Sequence, residues 1–179
     1  LRIVFGNWTV LKNDPRYRDE FANRRLSWVA YIGGKRESRR LLGDHILDQH
    51  DIVHAVPYPD ACVTTTWTID LHYPKKAVCA CDAFQANSDQ LKIEPYPIPY
   101  RTLYSRNVNN LMMAGRDISV THIALGTVRV QRTTGMMGEV LGMAASLCKA
   151  HACSPRDVYL HHLEEFKKLL EAGVPPHKS

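Results

Sequence analysis

Asn110-Leu111-Met112-Met113-Ala114-Gly115-Arg116-Asp117 is the stretch on which the reading of the fold turns. An unbroken apolar run closed by glycine suits a strand buried on both faces of a parallel sheet, because such strands read as continuous rather than alternating. A loop is expected from Arg116 to about Arg132, and then a helix to about Lys149. On that helix Gly135, Gly138, Gly142 and Ala145 share one face at helical spacing, while Met136, Val140, Met143 and Leu147 supply bulk elsewhere. Each interior glycine costs about 1 kcal/mol relative to alanine. The repeated glycine therefore implies a close neighbour, either a packed sheet or a flat ligand against the first turn.

Upstream, Ala61 to His72 reads as one strand, since Val63, Thr64, Thr65, Thr66, Trp67, Thr68 and Ile69 are almost all β-branched or aromatic, and Pro74 ends it. Pro95, Pro97 and Pro99 alternate with Tyr96, Ile98 and Tyr100, and each proline pushes its predecessor out of the helical region. That segment is expected to be an extended connection between two parts. Asn13-Asp14-Pro15 signals a turn that opens a helix through Tyr17, Phe21 and Leu26, Gly33-Gly34 breaks the chain, and residues 44 to 51 read as a short helix. Near the C-terminus, Ser154, Pro155 and Asp157 form a helix start, and Val158, Leu163, Phe166, Leu169 and Leu170 form its buried stripe before Gly173. His161 and His162 fall on its polar side and read as solvated groups, not metal ligands.

With 179 residues, 45% of them hydrophobic, the chain can bury an ordinary core. The formal charge of +5 permits a phosphate or nucleic-acid partner without requiring one. Arg24, Arg25, Lys35, Arg36, Arg39 and Arg40, with Trp28 and Tyr31 among them, have the composition of a strand-gripping surface. Apolar Leu41, Leu42, Ile46 and Leu47 follow directly, so the stretch reads as a solvated helix face and no nucleic acid is expected as a partner. The five cysteines are odd in number, and Cys79 and Cys81 would point to opposite faces of a strand, which argues against a disulfide framework. A lone CxC lacks the second motif of a closed zinc site, so the cysteines read as buried thiols. No segment reaches the roughly 18 to 20 apolar residues of a membrane span, and the sequence, which opens at Leu1, points to no particular compartment.

Four segments in order carry a resemblance. They are residues 98 to 104, Ile98-Pro99-Tyr100-Arg101-Thr102-Leu103-Tyr104; residues 107 to 119 around Ala114-Gly115-Arg116; residues 121 to 130, Thr121-His122-Ile123-Ala124-Leu125-Gly126-Thr127-Val128-Arg129-Val130; and residues 135 to 145. Together they resemble the C-terminal signature of FAD-dependent oxidoreductases with the glutathione-reductase type of nucleotide fold. Residues 34 to 40 and Ile69-Asp70-Leu71-His72 look like the same family's substrate-domain motifs.

The resemblance implies an α/β chain that is the C-terminal portion of a Rossmann-like FAD/NAD(P)-binding flavoprotein. Residues 1–104 would belong to a mixed α+β substrate or capping domain. Residues 105–179 would complete the FAD-binding domain, with the last helix packed on it. FAD is the implied cofactor and a small organic molecule the implied substrate, joined by hydride transfer. Gly115 would let backbone approach the cofactor, with Arg116 or Asp117 binding it. Thr133, Thr134 and Gly135 would open the helix under the flavin's pyrimidine edge, where unsatisfied N–H groups favour negative charge. His122 and Arg129 would be the catalytic groups, able to move a proton and hold an oxyanion. Asp70, His72, Tyr100 and Arg101 would line the substrate wall.

The sequence departs from the family pattern in lacking the GxGxxG turn and the acidic ribose ligand, for which Gly33-Gly34 is no substitute. The expected partner is thus a missing N-terminal nucleotide-binding segment of the same protein, and residues 1–179 alone are expected to be inactive and colourless. Two other classes remain open at this level. A polysaccharide lyase fragment would use Tyr100, His72, Arg101 and Asn107, and a basic nucleic-acid-binding module would rest on the arginine cluster.

Overall fold

The computed structural model describes residues 1–34, 36–72 and 88–174, and the readings at Lys35, Pro74, Cys79 and Cys81 lie outside them. The chain divides into two units, Leu1–Arg36 and Glu37–Ser179. In the first, helix α1 (Arg2–Asn13) ends at Asp14 in an extended conformation, as the following Pro15 requires. One further turn, α2 (Arg18–Phe21), meets it through an edge-to-face contact of Trp8 with Phe21 at 6.3 Å. Lys12 Nζ donates to the carbonyls of Phe21, Ala22 and Arg24 at 3.0, 2.8 and 3.1 Å. A continuing helix would have used those carbonyls, so the helix expected through Leu26 stops at one turn. Residues 24–34 are irregular, with Trp28 and Tyr31 exposed, and the expected solvated helix face is not formed there.

In the second unit, β1 (Ala61–Thr65) pairs antiparallel with β4 (Tyr96–Pro99), setting Val63 opposite Ile98 and Thr65 opposite Tyr96. The two prolines are tolerated because a two-stranded sheet leaves each strand an unpaired edge. The proline-rich segment is extended, as expected, but it is part of the core: Tyr96, Ile98 and Tyr100 are buried. Strands β2 (Ile69–Leu71) and β3 (Asp89–Leu91) form a separate antiparallel pair. The single strand expected over residues 61 to 72 is therefore two. At the break, the Trp67 carbonyl accepts from Thr127 Oγ1 at 2.6 Å, so it bonds to a helix and not to a ladder.

The run Asn110 to Gly115 is not a strand of a parallel sheet. It makes one antiparallel bridge, Met112 with Tyr104, while Leu47 and Val120 make one parallel bridge nearby. Met113 is buried but Ala114 is exposed, so the run is covered on one side and has no ladder on the other among the described residues. The expected loop from Arg116 also contains a helix, α4 (His122–Val128), opened by Thr121, whose side chain accepts from the Ala124 N–H. A shorter one, α3 (Gln49–Val53), has a capping box built from Asp48 and Asp51.

Helix α5 (Gln131–His151) forms as expected and ends at Ala152 in the left-handed region, where the Cys153 N–H bonds the Cys148 carbonyl at 3.0 Å. The Ser154–Asp157 capping box starts α6 (Pro155–His161), but the single last helix breaks at His162 and resumes as α7 (Leu163–Ala172). On a straight helix Val158 and Phe166, eight residues apart, would be turned about 80° from each other. The break lets both reach full burial.

Tyr100 packs against Tyr104 and Phe166 with ring centroids 5.1 and 4.8 Å away, and its hydroxyl donates to the Pro155 carbonyl at 2.9 Å. Beside it, Arg101 makes a two-pronged pair with Asp60 at 2.9 and 3.0 Å, and the Asp60 side chain is fully buried. Replacing Asp60 by asparagine removes the charge that Arg101 answers, and a buried pair broken on one side loses about 3 kcal/mol. Urea denaturation of Asp60→Asn should therefore show a lower midpoint with an unchanged slope.

Candidate active site

Helix α4 is held against β2 by backbone. At Gly126 a β-carbon would stand 3.0 Å from the Asp70 carbonyl oxygen and 3.1 Å from its nitrogen, so glycine is what lets the helix approach. That approach brings the C-terminal end of α4 onto Asp70. Arg129 Nη2 donates to the Asp70 carbonyl at 3.1 Å and to its carboxylate at 3.2 Å. The same carboxylate accepts from Ser88 Oγ at 2.7 Å and lies 3.0 Å from His72 Nε2. Burial pushes the Asp70 carboxyl up, but the bonds from Ser88 and His72 and the nearby Arg129 charge outweigh it and hold it below the usual carboxylate range.

The other end of α4 carries a second acid–base pair. His122, the first helical residue, has Nδ1 2.6 Å from the Glu37 carboxylate, which also pairs with Arg40. Burial again pushes Glu37 up, and the bonds from Arg40 and His122 bring it below its usual range. Seven residues separate His122 from Arg129, which places them on one side of the helix about 10 Å apart along its axis. Between α3, β2, β3 and α4 lies an apolar groove of about 260 Å³ lined by Val53, Ile69, Leu71, Leu91 and Ile123. Strand alternation puts it on the face of β2 opposite Asp70.

The expected cofactor residues fall in two places. Gly115 has φ +134°, a conformation that glycine alone adopts readily, and Arg116 and Asp117 beside it are exposed. The Asp117 carbonyl accepts from the Leu41 N–H at 2.8 Å, fixing this turn. Helix α5 starts at Val130 with no side-chain cap and no acidic residue in its first turn. Thr133 faces inward, its hydroxyl donating to Thr65 Oγ1 at 3.1 Å, while Thr134 Oγ1 donates to the Gln131 carbonyl at 3.0 Å. At Gly135, Gly138 and Gly142 a β-carbon would meet no atom within 4 Å. Among the described residues the glycine face thus carries no packed sheet, and the space beside the first turn is open. That open face leaves room for a flat ring such as a flavin's.

Asp70, His72 and Arg129 come together, and His122 stands at the other end of the helix that Arg129 caps. Tyr100 and Arg101 do not join them: Tyr100 is wholly buried among aromatic rings, and Arg101 is committed to Asp60. Without those two, the lyase constellation is not assembled either. Glu37, Ser88 and Gly126 went unread in the sequence. Glu37 stood inside a motif already singled out, whereas nothing local connects Ser88 to a residue eighteen positions away.

A family model described as FAD dependent oxidoreductase matches residues 3–170. The chain belongs to that family. Comparison with the curated proteins and with the solved structures gave no match. The family binds FAD and carries out redox chemistry, which supports the oxidoreductase reading of the sequence. Among the described residues no helix is long and apolar enough to cross a membrane.

Two measurements probe the α4–β2 joint. Gly126→Ala forces backbone apart and should cost about 1–3 kcal/mol of stability in denaturant titration. Asp70 ionises more readily folded than unfolded, so its stabilisation is present above the unfolded value of about 3.9 and is lost as pH falls through the lower folded value. Stability measured from pH 6 down to about pH 2 should decline on that limb, and Asp70→Asn should flatten it.

Proposed function

We propose that the protein oxidises a small organic substrate by hydride transfer to FAD, with Gly115, Arg116, Asp117 and the first turn of α5 holding the cofactor. The reading rests on the start of α5. A helix of 21 residues begins there without a side-chain cap or an acid in its first turn, beside a glycine face that the described residues leave open. Its unsatisfied N–H groups carry roughly half a positive charge, suited to the negative edge of a reduced flavin. At that edge Thr133 contributes a first-turn N–H that has no partner within the helix, and Gly135 leaves room for the ring, whereas the Thr134 N–H and hydroxyl are already bonded to the Val130 and Gln131 carbonyls.

When bound, FAD supplies the two-electron acceptor for a hydride leaving the substrate. The chain's part is to position the substrate and handle its proton. With Nδ1–H donated to Glu37, the His122 ring is oriented and Nε2 is the atom left to accept a proton. Arg129, fixed by Asp70, holds a substrate oxygen or carboxylate. His72, on the same carboxylate, belongs to that wall, and the groove beside Ile123 receives an apolar portion of the substrate. The domain assignment follows: residues 1–104 serve mainly the substrate and 105–179 mainly the cofactor. The glycine-rich pyrophosphate turn, which this sequence lacks, comes from a further segment of polypeptide.

Flavin occupancy tests the proposal. Residues 1–179 expressed alone should be colourless, and the flavin-loaded protein should lose at least tenfold in FAD affinity on Gly135→Leu. The same substitution should leave the melting temperature of the flavin-free protein unchanged or raised, because it adds a good helix former into open space. Unchanged flavin affinity, read by visible absorbance after dialysis, would remove the helix start from the cofactor site.

A further inference from the structure

The turn that joins α5 to α7 gathers three groups that the flavin chemistry does not use. His151 is the last residue of α5, His162 stands at the break between α6 and α7, and Glu165 lies in the first turn of α7. The two imidazoles stack with centroids 3.9 Å apart and planes 16° from parallel. His151 Nε2 lies 2.8 Å from Glu165 Oε2, and His162 Nδ1 lies 3.9 Å from the same oxygen. One donor atom from each residue falls within 4.8 Å of the other two.

We propose that His151, His162 and Glu165 bind a divalent metal ion of the zinc type, with water in the fourth position. Tetrahedral zinc takes nitrogen and carboxylate oxygen at about 2.0–2.2 Å, which spaces its ligand atoms about 3.3 Å apart. Meeting that spacing takes side-chain shifts on the order of 1 Å together with rotation of the imidazoles out of their stack, because each ring nitrogen binds an ion in its own ring plane. Their backbones are fixed from both sides: the hydrogen bond from the Cys153 N–H to the Cys148 carbonyl closes α5, and the Ser154–Asp157 capping box starts α6. Two imidazoles and one carboxylate favour zinc over magnesium or calcium, which prefer oxygen. The side chains are 34%, 24% and 49% exposed, so an ion and its water can enter from solvent. His162, expected on the polar side of one continuous helix, reaches His151 because the helix breaks at that residue. The bound ion would tie the C-terminal end of α5 to α7, closing the α6 turn as a clip. It needs no electron transfer and is independent of the flavin site.

Isothermal titration of the intact protein, stripped of metal, with zinc chloride tests the site. One zinc per chain is expected, with affinity reduced at least tenfold in His151→Ala and in His162→Ala and reduced in Glu165→Gln. His161→Ala, the neighbouring imidazole outside the cluster, should bind as the unaltered protein does. Zinc should also raise the melting temperature by several degrees in the unaltered protein and in His161→Ala, but not in the first two variants. Absence of stoichiometric zinc binding, or equal affinity in His151→Ala and His162→Ala, would overturn the proposal. Magnesium binding as tightly as zinc would overturn the assignment of metal type.

Discussion

At Gly126 the backbone of α4 lies directly on the backbone of β2, and much of the second unit is placed by that contact. Once the helix is there, Thr127 can donate to the Trp67 carbonyl and accept from the Tyr96 hydroxyl, which ties the turn after β1 and the strand β4 to the same helix. Ala124, Leu125 and Val128 complete the burial of its inner face. A side chain at Gly126 would separate the two backbones by a few tenths of an ångström, and every one of these bonds depends on a short distance. The glycine is therefore a spacing device, fixed by what stands opposite it and not by its own φ.

The same contact turns a packing element into a site. Helix α4 has a polar residue at each end, His122 and Arg129, and each is answered by an acid from an upstream motif, Glu37 for one and Asp70 for the other. A helix start disfavours a cation and a helix end favours one. Arg129 at the end is thus placed with the dipole. A protonated His122 at the start would be placed against it, and Glu37 supplies the compensating charge. The arrangement anchors the guanidinium at one end of the helix and pairs the imidazole at the other.

What the sequence disclosed and what it hid follow one division. Local signals were readable: the capping residues Ser154 and Asp157, the run of α5, the extended proline segment, and the four ordered motifs that pointed to a flavoprotein. Features fixed by distant partners were not. The strand expected at residues 110 to 115 needs a ladder neighbour, and among the described residues only Tyr104 offers one bridge. The break at Trp67 depends on Thr127, sixty residues away, and the burial of Tyr100 depends on Phe166. Among the candidate site residues, Asp70 and His72 share a strand face by simple alternation. Nothing short of the fold could have joined them to Arg129 while committing Arg101 to Asp60.

The bare glycine face of α5 is the remaining energetic oddity. Three interior glycines forfeit about 3 kcal/mol of helix stability relative to alanine. In a helix packed on a sheet, that loss is offset by the contact the glycines permit. Here the inward face is covered through Thr133, Met137, Val140, Leu141, Ala144 and Leu147, while Gly135, Gly138 and Gly142 look onto open space. No packing within the described residues offsets the loss, so the compensating contact has to come from outside them. In the function proposed above, a planar cofactor would supply that contact at the first turn and a further segment of polypeptide along the later turns.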